Sequence, residues 1–577
     1  MSFFESMNWL GCSSQKIINF IKPYRNWLTP GVILAALAIL ICCINPWREF
    51  AIEDDWDYAR VVWHLVHTGI FRRGELMEAT ALFPVIWGAL FAQLFGFSFV
   101  SLRLSTLVLA GGSLLFFYAL LGELEFDRPR RLLATLTLLV SPVFVFLAFS
   151  FMTDVSCLFG LVGALYYFVR ALRQQQVRFA LIGSVFVGLA FLARQLGGLV
   201  LLSFGLVILF SRWDLTPPAK TRWTRLAWLL AASFVPIAVF GVYLGWVQFG
   251  GGATWADKSR SVNSTWHLWL QPDSAGVLLR RFVETMVTVG IYILPLWFAL
   301  VVALPAGWRI WRQRPPWRKI IGGLLGVMVV TVLIRLAARD EWFPYLPDQL
   351  TRRGLRPYLA YAAYELNIQR PLVIPLSLSI LLTVLAAVAG LILCLWLVER
   401  FTSPVSRELR LVYGTTLLLA VSSLSFFSYY ERYLLPLMPA AIILLLDVTR
   451  RERFSLRLGL LGLVLAAICS IMVMQDYFAF SELKWQAARS LRAAGVPIEE
   501  IDAGFEWDGW YLYEQSLAYI HSHDLPMQIT PWEYIWDPQY IFAFTPVPGY
   551  QLEQELTFPT PLRAGGVDHM LLLRRVK

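Results

Sequence analysis

Charge is scarce in this chain: of its 577 residues only 15% are Asp, Glu, Lys or Arg, whereas 58% are hydrophobic. A water-soluble globule cannot cover itself with so few charges, so the soluble classes are excluded and a polytopic membrane protein is left. Cysteine is sparse too. The six are Cys12, Cys42, Cys43, Cys157, Cys394 and Cys469, all in or beside apolar segments, which excludes a disulfide framework and a cysteine metal site. No internal repeat and no low-complexity linker is found, and this argues against the paired halves of a secondary transporter. No cleavable signal peptide is expected, because the first apolar run continues from Val32 to Ile44 without a small-residue cleavage site after it. Basic residues are divided among short loops and form no single patch, so nucleic acid is not expected as a partner.

What the chain does have is apolar length and aromatic rings. The 24 Trp, 22 Tyr and 40 Phe suit a protein that crosses the headgroup region many times. Fourteen apolar runs of about 15 residues or more are candidates for membrane helices. Charge selects among them. If the run 82–96 lies in the interface as a re-entrant or surface helix, the basic loops near 128–131, 170–178, 212–225, 309–319, 400–410 and 450–457 all share one side with the N-terminus. The expected architecture is therefore an all-α polytopic membrane domain over residues 1–475, with about 13 transmembrane helices and a cytoplasmic N-terminus. Residues 47–99, 249–282 and 338–371 are then extracytoplasmic, as is a small α/β C-terminal domain over 476–577. Its final alternation around Met570 to Leu573 predicts a closing strand. The multi-pass chain is expected in the plasma membrane of a bacterium.

Polar residues concentrate at the outer ends of these helices. After the first apolar run the chain reads Glu53-Asp54-Asp55-Trp56-Asp57-Tyr58, four carboxylates in six residues beside a membrane. Such groups are costly unless used, and as neighbours they raise one another's pKa values, so a proton acceptor, a cation ligand or both are candidate roles. Solvation of a loop is the plain alternative. Asp154 sits in Phe151-Met152-Thr153-Asp154 between two apolar runs, where it is either a site carboxylate or a helix cap. The stretch Glu431-Arg432-Tyr433-Leu434-Leu435-Pro436 is either a helix start with an interfacial arginine or part of a ligand path. The rings of Phe505 to Tyr511 either stack on acceptor sugars or pack against the membrane domain, and Phe83 and Trp87 either line a lateral lipid entry or anchor the interface.

Taken together, Asp54-Asp55-x-x-Tyr58-Ala59, Met152-Thr153-Asp154 and Arg432-Tyr433-Leu434-Leu435-Pro436 resemble the polyprenyl-phosphate-sugar-dependent glycosyltransferases of the GT-C fold. Within them the chain is most similar to the bacterial relatives of protein O-mannosyltransferases and of the lipid A aminoarabinose transferase. The resemblance implies that Asp54 is the first-loop carboxylate serving as base, that Asp154 is its second-loop companion, and that Asp55, Tyr58 and Tyr433 lie in the substrate site. Asp55 stands where relatives usually have Glu. The aminoarabinose transferases carry a basic residue before the family Tyr and a Lys in a Glu-Lys-Pro stretch, where this chain has Asp57 and Glu78-Ala79-Thr80. Another cation must therefore meet the donor phosphate, and Arg432, Arg194, Arg72, Arg73, Lys258 and Arg260 are candidates. A divalent cation held by Asp54, Asp55 and Asp154 is the other solution. The implied reaction is transfer of a sugar from a polyprenyl-phosphate donor in the bilayer to a hydroxyl acceptor on a glycan, lipid or protein, with inversion. A transporter or flippase of lipid-linked sugars or other solutes is the alternative function.

Overall fold

The computed structural model describes residues 14–74, 77, 79–210, 218–249, 271, 273–303, 313–340, 342–343, 350–356, 358–360, 363, 366–401, 403–426, 429–522 and 538–576. The expected helical membrane fold with a small C-terminal sheet is borne out. The first half holds α1 (Ser14–Ile44), α2 (Asp55–Thr68), α3 (Leu82–Phe95), α4 (Phe99–Glu123), α5 (Arg128–Val140), α6 (Pro142–Ala148), α7 (Thr153–Gln174), α8 (Val177–Ala193), α9 (Leu199–Phe210) and α10 (Pro218–Phe249). The second half holds α11 (Ser274–Tyr292), α12 (Leu294–Leu300), α13 (Pro316–Ala337), α14 (Leu376–Phe401), α15 (Arg407–Leu424), α16 (Met438–Val448), α17 (Leu456–Ala493) and α18 (Phe505–Ser522). Among the described residues six helices are long and apolar enough to cross a membrane. Two bent pairs, α5 with α6 at 64° and α11 with the helical segment through Ala303 at 67°, raise the number to eight if each is one span. Four shorter apolar helices accompany them.

The run 82–96 is one of the short ones. Its 14 residues in α3 rise about 21 Å, less than the hydrocarbon thickness, and its apolar residues Ile86, Leu90, Leu94 and Phe95 remain exposed. Trp87 on α3 is tied back by its indole N–H, which donates to the Ser105 carbonyl at 2.9 Å.

Hydrogen bonds between loops place the basic segments together at one end of the bundle. Arg128 donates to Thr29, Arg130 to the Glu452 carbonyl, Arg407 to the Leu172 carbonyl and Arg450 to the Leu124 carbonyl. Arg314 and Arg318 both pair with Glu399. At the opposite end lie the acidic loop and the C-terminal domain. Seven-residue α6 begins with Pro142 and a Ser141 cap, a sequence that interrupts a longer span and turns the chain toward Asp154.

The expected domain boundary at 475/476 falls inside α17, which runs unbroken through Asp476 as far as Ala493. Beyond it a four-stranded sheet is built from β3 (Ile501–Asp502), β4 (Tyr540–Ala543), β5 (Tyr550–Pro559) and β6 (Val567–Arg575) in the order β3-β4-β6-β5, after a short hairpin of β1 (Leu350–Thr351) and β2 (Gly354–Leu355). β3 runs parallel to β4 and the other pairs are antiparallel. β6 is the predicted closing strand around Met570 to Leu573 and occupies an inner position. Arg370, wholly buried, bonds Asp476 at 2.6 and 2.8 Å and Asp568 at 2.8 Å, joining the loop before α14, α17 and β6. The rings of the 505–511 segment are packed rather than free: Trp510 stacks on Phe97 at 5.9 Å, Trp507 meets Trp485 at 5.2 Å, and Gly509 lies against Trp56.

Candidate active site at the helix ends

The acidic loop is held from below. Arg103 near the start of α4 is 1% exposed and donates to the carbonyls of Pro46, Arg48 and Phe50, which fixes the chain entering the cluster. Sequence reading missed this residue, whose only signal is a lone arginine in an apolar run. The four carboxylates then separate. Glu53 adopts a left-handed backbone with φ of 55° and pairs with Arg356 after the β1–β2 hairpin. Asp55 turns into the core, where its carboxylate accepts from the Ile52 N–H at 2.6 Å and the Phe151 N–H at 3.2 Å. Burial pushes its pKa up to about 8 despite those amides and the charge of Arg103. Asp57 is buried on another face of α2, and burial, opposed by Arg60 and reinforced by Asp54, raises it to about 7.

Asp54 is the member of the cluster that pairs with the third motif. It occupies the N-cap position of α2, its side chain 36% exposed, and its Oδ2 receives Nη1 of Arg432 at 2.7 Å. A parallel pair lies beside it. Asp154 in the first turn of α7 is 2% exposed and its Oδ1 receives Nη1 of Arg194, the C-cap residue of α8, at 2.7 Å. The same arginine approaches Thr153 Oγ1 at 3.5 Å. This meeting follows from α7 and α8 packing as neighbours, so closely that a Cβ on Gly160 would lie 2.6 Å from the Ala190 backbone N. Both guanidinium groups lie over the ring of Tyr433, Arg194 at 5.4 Å and Arg432 at 5.9 Å from its centroid, an arrangement that a cation–π attraction favours. Tyr58, one helical turn after Asp54, is within electrostatic reach of both arginines, and burial and then Asp54 raise its pKa. Burial likewise leads the upward shift of Tyr433.

Of the residues expected from sequence, Asp54, Tyr58, Asp154, Arg194, Arg432 and Tyr433 are thus brought together. Asp55 is not: it is a backbone anchor, because its loop needs two amides satisfied where Phe151 closes over it. Arg260 and Lys258 lie outside the described residues. Arg73 is committed to the carbonyls of Met77 and Ala79, and Arg72 is exposed on the loop after α2. The metal set Asp54, Asp55 and Asp154 does not converge, and among the described residues no group of three or more His, Cys, Asp or Glu side chains is placed to hold a metal ion. Asp54 and Asp154 are each taken by an arginine, Asp55 by main-chain amides. Glu431 also departs from its neighbour: it is 1% exposed, accepts from the Leu350 N–H at 3.2 Å, and is pushed up to about 8 by burial.

The site therefore offers two carboxylates, two guanidinium groups and a tyrosine ring between them. One buried oxygen, Asp154 Oδ2, meets no hydrogen-bond donor among the described residues and can accept one from a bound hydroxyl. Arginine presents several N–H donors in a fixed fork suited to phosphate oxygens.

Residues 83–246 match the family model of dolichyl-phosphate-mannose-protein mannosyltransferases. That stretch contains Asp154 and Arg194 and supports the glycosyltransferase class read from the motifs. No curated protein matches the chain in sequence. Among solved structures, ArnT from Cupriavidus metallidurans in the apo state is similar at 14% identity, over 95% of this chain and 98% of that one, with a TM-score of 0.41. The archaeal oligosaccharyltransferase AglB from Archaeoglobus fulgidus, in complex with an inhibitory peptide and a dolichol-phosphate, is similar at 16% identity over 89% of this chain and 61% of that one, with a TM-score of 0.39. The arabinosyltransferase EmbB from Mycobacterium smegmatis shares 14% identity over 75% and 41% of the two chains, with a TM-score of 0.32.

Proposed function

We propose that this protein is an integral-membrane glycosyltransferase that moves a sugar from a polyprenyl-phosphate donor to an acceptor hydroxyl on the extracytoplasmic side, in a bacterial plasma membrane with the N-terminus cytoplasmic. The observation that carries the reading is the pairing of Asp54 with Arg432 and of Asp154 with Arg194 around one tyrosine. Anion binding alone would need only the arginines; transfer needs a base as well, and the partly exposed Asp54 supplies one.

In this mechanism the donor phosphate draws Arg432 and Arg194 away from their carboxylates. Asp54 is thereby freed of its ion pair at the moment the donor is in place. The acceptor oxygen then bonds to the anomeric carbon as its proton passes to Asp54. The carbon–oxygen bond to phosphate breaks, and its electron pair leaves on the polyprenyl phosphate, whose growing charge the two guanidinium groups offset. Asp154 Oδ2 orients the acceptor hydroxyl. A single displacement inverts the anomeric configuration. The acceptor is a hydroxyl on a glycan, lipid headgroup or protein.

The test is transfer of radiolabelled sugar from synthetic polyprenyl-phosphate donors by purified protein. Wild type should transfer to acceptor or to water, and a folded Asp54→Asn variant should be slower by about 10²- to 10⁴-fold, the usual worth of a general base. Undiminished activity in Asp54→Asn removes Asp54 as base. Translocation of the intact donor across vesicles without bond cleavage would favour a flippase instead.

A further inference from the structure

From near the carboxylate end of the bundle toward its opposite end, α9, α11, α14, α15 and α16 border a cleft of about 870 Å³. That volume lies within the range of sites for small organic ligands. Its walls are apolar from Leu437 and Leu424, near the carboxylate end, past Leu417 and Val289 to Leu397. Polarity appears at the far mouth, where Arg400, Ser403, Arg410 and Tyr413 contribute to the lining. There Arg400 is neutralised by Asp447, which also accepts from the Tyr413 hydroxyl at 3.1 Å. Arg410 is exposed, and among the described residues no carboxylate pairs with it. Two arginines against one carboxylate leave the mouth positive.

We infer that this cleft is a binding site for an anionic glycerophospholipid of the leaflet opposite the candidate active site, with the lipid phosphate at Arg410 and its acyl chains along the apolar walls. The separation of charge and apolar length selects this occupant. A free phosphate would leave the apolar length unfilled, and a zwitterionic headgroup would bring a cation of its own to a positive mouth. The prenyl donor of the proposed reaction places its phosphate at Arg194 and Arg432, and Arg410 lies on the order of 20 Å from that end, since fourteen residues of α15 separate it from Leu424. A prenyl tail has no charge to present at the far mouth. A basic pocket between membrane helices is a recognised form of anionic headgroup site, with each nearby arginine contributing about a factor of five in affinity.

The experiment uses the full chain in phosphatidylcholine nanodiscs titrated with dioleoyl phosphatidylglycerol, the retained lipid being counted by native mass spectrometry. Wild type should retain phosphatidylglycerol in preference to phosphatidylcholine. Arg410→Gln, a surface change that leaves the packing intact, should weaken that retention roughly fivefold, and Arg410→Lys should keep most of it. Ala420→Trp, which fills the apolar stretch, should abolish retention of both lipids while thermal unfolding reports whether the variant is folded. Equal retention of the two lipids by wild type overturns the inference, as does unchanged phosphatidylglycerol binding in Arg410→Gln. Displacement of phosphatidylglycerol by undecaprenyl phosphate, lost in Arg432→Gln, would give the cleft to the donor tail and overturn it equally. None of these readouts depends on sugar transfer, so the proposed reaction and this site stand or fall separately.

Discussion

Side chains one residue apart on α2 have unrelated fates. Asp54 reaches Arg432, Asp55 ties two backbone amides, and Asp57 is buried elsewhere. Replacing Asp55 by Asn leaves one oxygen and one amide group where two acceptors are needed, so Asp55→Asn should destabilise by about 1–3 kcal/mol in thermal unfolding, without the specific catalytic loss of Asp54→Asn. Glu431 gives a pH dependence of known sign. Its folded pKa, about 8, exceeds the ordinary 4.5, so the folded chain keeps a proton that the unfolded chain releases. The resulting stabilisation is full below about pH 4.5 and is lost as pH rises toward 8. Unfolding temperature should decline less steeply over that interval in Glu431→Gln than in wild type, and equal slopes would remove Glu431 from the account. The carboxylate cluster was legible in the sequence as a place where chemistry could occur. Which member performs it was not, because a helix start rotates successive side chains by about 100° and the neighbours that cover Asp55 and Asp57 come from distant segments.

At the scale of helices, apolar runs and basic loops revealed the bundle and its two ends, since each signal is local in sequence. The breaks within spans were less legible, although Ser141-Pro142 marks one of them. The site depends on how closely α7 and α8 approach. Gly160→Leu should force them apart, break the Asp154–Arg194 pair and reduce donor affinity tenfold or more, whereas stability should fall by about 1–3 kcal/mol as in other overpacked interiors. Donor titration followed by intrinsic fluorescence would separate the two effects. Gly509 makes a similar close contact between α18 and α2, its missing Cβ space being filled by Trp56 Cε2 at 2.3 Å. Gly509→Val should therefore displace α18 and expose Trp56, visible as faster proteolysis within 505–522.

For the molecule as a whole, the C-terminal domain and the helical bundle share a core. Among the described residues the Arg370 guanidinium is bonded by Asp476 and Asp568 together, and removing one partner of such a buried network costs about 3–5 kcal/mol. Arg370→Met should lower the unfolding temperature of the entire protein in a single transition. A separate early transition for residues 476–577 would contradict this coupling. Sequence composition alone suggested a separable domain from Asp476 onward, because hydropathy falls there. It gave no sign that α17 continues through that point, since a helix passing from lipid to water changes its solvent and not its backbone.

The resting pairing of both arginines has a kinetic consequence. Asp54, Arg432, Asp154 and Arg194 sum to zero charge, so the pocket exerts little pull on an anion more than a Debye length away. An anionic head diffusing in the plane of the membrane would be captured on collision rather than drawn in, and its capture rate should change little between low and high ionic strength.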